Sequence, residues 1–370
     1  MNVRHMSSNL GQLLLIGIPG PELDAQTRGF LRKIQAGGYI IFTRNIQSPS
    51  QLRKLLDDLR DLSEIEPIFT LDQEGGRVSR LKAIGNEPPN AQQLREKGDA
   101  QLIRRHGDLT GRLLRLFGFN LDLCPVLDIS FDDNADNSLF GRCYGTTAEQ
   151  VIRNATLFND AMRCAGVLSC GKHFPGYSSA ANDPHHELPV LTRSRGELER
   201  HELAVFHHFI PHVDSMMIGH IAFSELDPSG QPASLSPAIV RGLLREKMGF
   251  QGLVMTDDLD MGAILNHYGF EQTMRMGIEA GNDLLMICHR TELAGDAIKT
   301  FEQMPAPLID EALGRVAAFK SKFSPPAEFS EAAFAELNAE VWQLRVEVLG
   351  EARARERSPE SGKRSPVEIY

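Results

Sequence analysis

The sequence predicts an α/β protein, a single TIM-type (β/α)8 barrel with C-terminal helices. Three observations carry this reading. Eight short apolar runs recur along the chain, each followed by a turn and an amphipathic helical stretch. Most of the runs are near-continuous rather than alternating, as expected of parallel strands covered on both faces. The eight units fill about 325 residues, which suits one closed barrel better than its rival, a six-strand open sheet with an appended domain.

The first run, Leu13–Ile18, stops at Pro19-Gly20. It is too short to span a bilayer and lacks a following small-residue cleavage site, so it reads as a strand. Further strands are expected at Tyr39–Phe42, Ile68–Asp72, Leu121–Asp128, Val167–Lys172, Met216–His220, Leu253–Asp257 and Leu284–Cys288. Helical stretches between them include Ser48–Leu62, Thr147–Ala165, Ser194–Phe209, Pro237–Met248 and Phe270–Ala280. Several open on Ser, Thr or Pro, which suit a first turn. Gly37-Gly38, Gly166 and Gly281 lie where helices must end. Two more helical stretches, Glu292–Gln303 and Leu308–Phe323, complete a barrel domain of residues 1–325, and Pro325-Pro326 marks a break. A helix over Ser330–Arg357 carries Phe334, Leu337, Val341, Leu344 and Val348 at a spacing that can dock on the barrel, giving a 326–357 element. The charged, Ser- and Pro-containing tail 358–370 reads as disordered.

Composition narrows the function classes. Of 370 residues, 42% are hydrophobic and 24% charged, as in a soluble globular enzyme. The net charge of −10 and a pI near 5.7 argue against nucleic acid or an anionic membrane as partner. Cys124, Cys143, Cys164, Cys170 and Cys288 are scattered, with no zinc spacing, and read as buried thiols in a reducing compartment. A cytoplasmic protein is expected.

Catalytic groups of a parallel barrel sit where strands end. Polar residues recur there: Asp72-Gln73-Glu74, Asp128, Lys172-His173, His220 and Asp257-Asp258. Adjacent Asp257 and Asp258 point in different directions. Asp258 is either a pocket residue or the cap of the following helix, and Asp257 either a functional group or a strand-end carboxylate held by Arg or Lys. In the loop after the fifth strand, an extended Asp183-Pro184-His185 puts both side chains on one side. The carboxylate could orient the imidazole for proton transfer. From spacing alone a plain surface loop with two histidines and a helix-capping Asp is the favoured reading. A metal site of His173, Asp183, His185 and His186 is a weaker alternative, because no pair fixes two ligands on one element.

Several segments together resemble family 3 glycoside hydrolases. Leu243 to Asp260, containing Val254-Met255-Thr256-Asp257-Asp258, is similar to that family's active-site signature, and Leu71-Asp72-Gln73-Glu74-Gly75-Gly76-Arg77-Val78 and Lys172-His173-Phe174-Pro175-Gly176 look like two further family segments. The Asp-x-His loop resembles that of the single-domain, NagZ-type β-N-acetylglucosaminidase branch. The resemblance runs from about Gly11 to Phe323.

It implies a retaining exo-glycosidase releasing β-linked N-acetylglucosamine from peptidoglycan-derived disaccharides or muropeptides. It implies Asp257 as nucleophile, His185 with Asp183 as acid/base, and Asp72, Arg142, Lys172 and His173 as sugar-binding groups. No metal or organic cofactor is implied. Two features depart from the pattern: Pro175-Gly176 continues as Tyr177-Ser178 instead of His-Gly, and Pro184 stands where Ser is common. Cys143 and Tyr144 also replace Ser and Phe beside Arg142. The alternatives are a β-glucosidase-like member of other sugar specificity, a metal-dependent barrel hydrolase and a non-catalytic sugar-binding barrel.

Overall fold

The computed structural model of the chain describes residues 10–134, 137–177 and 187–358. Eight strands share one sheet: β1 Leu14–Gly17, β2 Gly38–Ile40, β3 Ile68–Thr70, β4 Leu121–Asp122, β5 Leu168–Phe174, β6 Ser215–Ile218, β7 Leu253–Asp258 and β8 Leu284–Ile287. Successive strand residues face opposite sides, and here both sides are apolar. Leu15, Ile40, Ile68, Leu253, Met255, Leu284 and Met286 turn into the barrel, while Leu14, Ile16, Tyr39, Phe69, Val254, Leu285 and Ile287 pack outward under the helices. That division is why the runs look continuous in the sequence.

Neighbouring strands pair in parallel in the order β3-β2-β1-β8-β7-β6-β5-β4. The two ends of this order then meet. Asn120 N–H donates to the Phe69 carbonyl at 3.2 Å, and Leu123 N–H to that of Leu71 at 3.1 Å. The ring is closed, and the open-sheet alternative is overturned.

Helix starts follow the expected chemistry. Ser48 caps Pro49–Asp61 and Thr147 caps Ala148–Cys164, each side chain accepting an N–H of the first turn. The helix Ala100–Phe117 lies against Ala148–Cys164 so closely that a Cβ at Gly107 would sit 2.3 Å from the Phe158 carbonyl oxygen. Only glycine permits that approach.

Several expected boundaries move. The strand expected over Leu121–Asp128 ends at Asp122, and its pairing with β5 resumes beyond Pro125 as an isolated bridge between Val126 and Lys172. The stretch Ser194–Phe209 divides into Arg195–Arg200 and Glu202–Phe209 at His201. The last long helix is Glu331–Leu349, stopped by Gly350 at φ +78° and followed by the single turn Glu351–Ala354. Four cysteines are buried, but Cys164 is exposed, because it ends its helix on the outward side. Of the expected tail, 359–370 lies outside the described residues, while Ser358 donates its hydroxyl to Glu87. No helix among the described residues is long and apolar enough to cross a membrane.

The helix Glu331–Leu349 buries Phe334, Leu337, Val341 and Leu344, with Phe334 edge-on to Phe117 at 5.6 Å. Arg345 on the same helix reaches Glu87 at 2.9 Å, both side chains buried, and also donates to the Glu87 carbonyl. Glu87 belongs to the long segment that follows β3, so this pair braces that segment from behind. Arg345→Ala should therefore destabilise the fold by roughly 3–5 kcal/mol, the cost of a buried carboxylate left without its partner. Urea unfolding measures this, and an unchanged midpoint would show that the brace contributes nothing.

Candidate active site

All eight strands deliver their last residues to one face, and charge accumulates there. Lys172 near the end of β5 is 1% exposed. A cation so buried requires anions at contact distance. Its Nζ lies 2.5 Å from Asp72 Oδ1 and 2.7 Å from Glu74 Oε1, both in the segment leaving β3. Each carboxylate has a second cation. Arg80 Nη2 is 3.0 Å from Asp72 Oδ2, and Arg142 grips both oxygens of Glu74 at 2.7 Å, the bidentate geometry that guanidinium favours.

The same groups explain their proton affinities. Burial alone would raise both carboxyls. The charges of Lys172 and Arg80 instead hold Asp72 far below the usual range, and those of Arg142 and Lys172 bring Glu74 down to about 2. Burial would likewise lower Lys172, but Asp72 and Glu74 outweigh it and keep the ammonium charged.

His173 extends the network. Its Nδ1 lies 2.7 Å from Asp128 Oδ2, and its Nε2 is 3.5 Å from Arg142. Asp128 also accepts the N–H of His173 at 3.2 Å and that of Tyr177 at 2.6 Å. The pairing of β5 with β6 slips between Gly171 and Phe174, and this irregularity lets consecutive Lys172 and His173 both serve the mouth. The Lys172–His173 peptide bond is cis.

Tyr177 ties β5 to the next strands. Its hydroxyl accepts the His220 N–H at 2.6 Å, and its ring lies over Gly219, where a Cβ would come within 2.8 Å of it. The His220 imidazole then donates from Nε2 to the Asp258 carbonyl at 2.8 Å, while Nδ1 sits 2.7 Å from Ser234 Oγ. The carbonyl partner assigns the Nε2 proton.

At the end of β7 the two aspartates part. Asp257 is half-buried, accepts the Asp258 N–H at 2.8 Å, and has no ion-pair partner among the described residues. Asp258 turns toward β8 and accepts the N–H groups of Asp260 at 3.0 Å and Cys288 at 3.2 Å. It does not cap the next helix, Gly262–Leu265, which starts only after Met261. Burial first, then the charges of Asp260 and Asp257, push Asp258 up to about 8. Asp260 is held by Arg290 at 2.6 Å.

Asp72, Arg142, Lys172 and His173 thus form one connected set, and Asp257 stands on the same barrel face. Asp183 and His185 lie outside the described residues, as does His186 of the metal alternative. Among the described residues no group of three or more His, Cys, Asp or Glu could hold a metal ion. The arrangement supplies fixed ammonium, guanidinium, imidazole and carboxylate groups at one mouth, a set suited to the hydroxyls of a sugar. Sequence reasoning missed Arg80, whose Ser-Arg-Leu-Lys setting resembles a solvated turn. It also missed the anchoring role of Tyr177.

Asp122, at the end of β4, is fully buried nearby. Its Oδ1 accepts the Gln73 N–H at 3.1 Å, its Oδ2 has no hydrogen-bond partner, and burial raises it to about 7. An acid raised on folding loses stability as pH climbs from its unfolded value toward its folded one. Asp122→Asn should therefore gain on the wild type between pH about 4 and about 7, with the gain level above that. Urea midpoints across that range test it, and a pH-independent difference would mean that Asp122 stays ionised.

Comparison with known proteins places the chain among carbohydrate-active enzymes. Residues 5–319 match the profile described as the glycosyl hydrolase family 3 N terminal domain. The chain is similar to a β-hexosaminidase of Photobacterium profundum, 31% identical over 305 residues that span 82% of this chain and 89% of that protein. A β-hexosaminidase of Tolumonas auensis is 33% identical over 304 residues, 81% of this chain and 90% of that one. Among solved structures, the family 3 β-N-acetylglucosaminidase from Paenibacillus sp. str. FPU-7 superposes with a TM-score of 0.85 at 32% identity, covering 93% of this chain and 68% of that one.

Proposed function

The chain belongs to glycosyl hydrolase family 3 and is a β-N-acetylhexosaminidase of that family, and on this premise we propose that it releases non-reducing terminal N-acetylglucosamine by double displacement through Asp257. The observation that carries the proposal is the contrast at the mouth. Asp72 and Glu74 are neutralised by Lys172, Arg80 and Arg142, and Asp128 is engaged by His173, whereas Asp257 has no ion-pair partner among the described residues. An unneutralised carboxylate is the one able to attack carbon.

In the first step a carboxylate oxygen of Asp257 bonds to C1 of the sugar. The C1–O bond to the leaving group breaks, and that oxygen takes the proton of His185. In the second step His185, now neutral, takes a proton from water. The water oxygen bonds to C1, the ester bond to Asp257 breaks, and the configuration at C1 is retained. Asp183 accepts from the imidazole and raises its basicity. This replaces the second carboxyl of the usual retaining pair with a histidine. Asp72, Arg142, Lys172 and His173 hold the sugar hydroxyls.

The aglycone we propose is N-acetylmuramic acid or its anhydro form, with or without peptide, met as a soluble fragment in the cytoplasm. Support comes from the rim of the barrel face. Phe131 and Phe140 beyond β4, Val190 beyond β5 and Leu265 beyond β7 are exposed there. The Arg193 guanidinium lies 4.7 Å over the Phe131 ring, and that of Arg77 5.8 Å over Phe140. Apolar surface interleaved with cations suits an aglycone bearing both methyl groups and carboxylates.

Trapping with a 5-fluoro N-acetylglucosaminyl fluoride should add one sugar mass, and peptide mapping should place it on Asp257. A label on any other residue overturns the assignment. The enzyme should also hydrolyse para-nitrophenyl N-acetylglucosaminide faster than the glucoside, the reverse order favouring the glucosidase alternative. His185→Ala should slow substrates with poor leaving groups by roughly 10²–10⁴-fold, and activated aryl glycosides far less. Equal slowing of both would remove His185 from the acid role.

A further inference from the structure

Asp257 sits where the regular ladder runs out. Pairing of β7 with β6 extends from Leu253 opposite Ser215 to Thr256 opposite Ile218, and pairing with β8 slips between Met255 and Asp258. The Asp257 carboxyl takes its direction from the next residue, whose N–H it accepts at 2.8 Å. What fixes Asp258 therefore fixes Asp257. From the β8 side that anchor is the Cys288 N–H, donated to the Asp258 carboxyl at 3.2 Å. From the β6 side it is a side chain. Continuing the β6–β7 register by two residues sets His220 opposite Asp258, but the His220 backbone N–H is given to Tyr177 Oη at 2.6 Å. The imidazole reaches β7 instead, its Nε2 donating to the Asp258 carbonyl at 2.8 Å. Ser234 Oγ, 2.7 Å from Nδ1, is a hydroxyl that can donate there and so keep the Nε2 proton in place. The Ser234 turn is itself fastened: Ala233 N–H donates to the Ile221 carbonyl and Asn282 Nδ2 to the Ser234 carbonyl, both at 2.8 Å. His220 is 0% exposed, so it does not touch a bound sugar. Tyr177 carries the chain of contacts to the binding groups. Its ring lies 4.9 Å from that of His173, and its N–H is donated to Asp128, the carboxylate that also meets His173 Nδ1.

We propose that His220 is a positioning residue for the nucleophile: its imidazole takes the place of a backbone rung between β6 and β7, and Tyr177, by holding the His220 backbone, sets Asp257 at a fixed distance from His173. This rests on reading Asp257 as the nucleophile and His173 as a sugar-binding group. Attack at C1 requires the reacting atoms to stand about 3–3.5 Å apart, and a misplacement of about 1 Å can cost about a hundredfold in rate. The sugar is held from β3 and β5, whereas the attacking carboxylate stands on β7, so the two must be registered across β6. A ring bonded at both nitrogens and packed without access to water is a rigid spacer for that purpose. Gly219 serves the same geometry, because a Cβ there would come within 2.8 Å of the Tyr177 ring and displace it from His220.

The test separates the first-order rate of trapping by the fluoro sugar from the affinity for that sugar in wild type, His220→Phe, His220→Gln and Tyr177→Phe. Trapping needs the nucleophile and little leaving-group acid, so it isolates Asp257. Phenylalanine fills the place of the imidazole without its N–H, and the Asp258 carbonyl still receives the Met261 N–H at 3.1 Å, so no bare acceptor is left buried. His220→Phe should lower the rate constant at least about tenfold while affinity stays within about threefold. Glutamine puts an amide N–H where Nε2 stood and should return the rate constant to within about threefold of wild type. Tyr177→Phe keeps the ring beside His173 and removes the acceptor of the His220 N–H, and should lower the rate constant about fivefold at the same affinity. A merely structural role for His220 would slow phenylalanine and glutamine alike, and that result overturns the proposal. So does a His220→Phe protein that matches wild type, or a loss that appears in affinity alone. Should phenylalanine fail to fold, Tyr177→Phe decides, an unchanged rate constant overturning the proposal. A label away from Asp257 overturns the nucleophile reading itself, whereas a label on Asp257 with unchanged rate constants overturns only the positioning role.

Discussion

A single buried ammonium organises the mouth of this barrel. Lys172 has left water almost entirely, and nothing apolar compensates a charge in that position. Asp72 and Glu74 must therefore converge on it, which fixes the segment leaving β3 against β5 across the intervening strand. Two carboxylates are more than one cation needs, so Arg80 and Arg142 arrive from further along the chain to neutralise the rest. Arg142 in turn approaches His173, and His173 is fixed by Asp128. Each contact creates the need for the next. The result is a rigid set of donors and acceptors whose reorganisation cost is met during folding rather than during binding.

That network also sorts the carboxyls of the mouth by what they can do. A carboxylate clamped by cations is a good acceptor for hydroxyl groups but a poor attacker of carbon, because its lone pairs are engaged. Asp257 lies at the end of β7, beyond the reach of Lys172, Arg80 and Arg142. It accepts the N–H of the next residue, a contact that orients it without neutralising it. On the proposed reading, binding and reaction then fall to different strands: β3 and β5 with the loop after β4 for the former, β7 for the latter.

The fold was readable because burial on both faces leaves an unbroken apolar signature at each strand, and each of the eight expected runs overlaps a barrel strand. The ends were less readable. β4 ends after two residues and resumes only as a bridge beyond Pro125 although the apolar run continues, and Gly350 divides a helix whose polar positions look continuous. The site residues at strand ends could be found by place. Arg80 could not, since its pairing with Asp72 depends on how the short strands Gln73–Gly75 and Val78–Ser79 fold the chain back on itself. The role of Asp258 was open in the sequence for a similar reason. Whether an aspartate after a strand caps the next helix or binds the next strand depends on where that helix starts, and here it starts too late.

The same sorting bears on the proton donor. A retaining glycosidase needs an acid that still holds its proton near neutral pH. Glu74 is a carboxyl at the mouth that could play that part, but Arg142 and Lys172 hold it at about 2, so it is ionised. Asp72 is depressed further by Lys172 and Arg80. Asp128 is occupied by the imidazole of His173 and two backbone N–H groups. Asp258 and Asp122 do favour the protonated form, yet one is fastened to β8 and the other is buried wholly beneath the mouth. On the proposed reading, the strand ends supply the nucleophile and the binding groups, and the acid has to come from elsewhere. A donor carried to the mouth by a loop fills that place without adding another charge to a crowded ring of carboxylates, and a histidine suits it because its proton exchanges close to neutral pH. That is the physical ground for giving the role to His185 rather than to a second carboxyl.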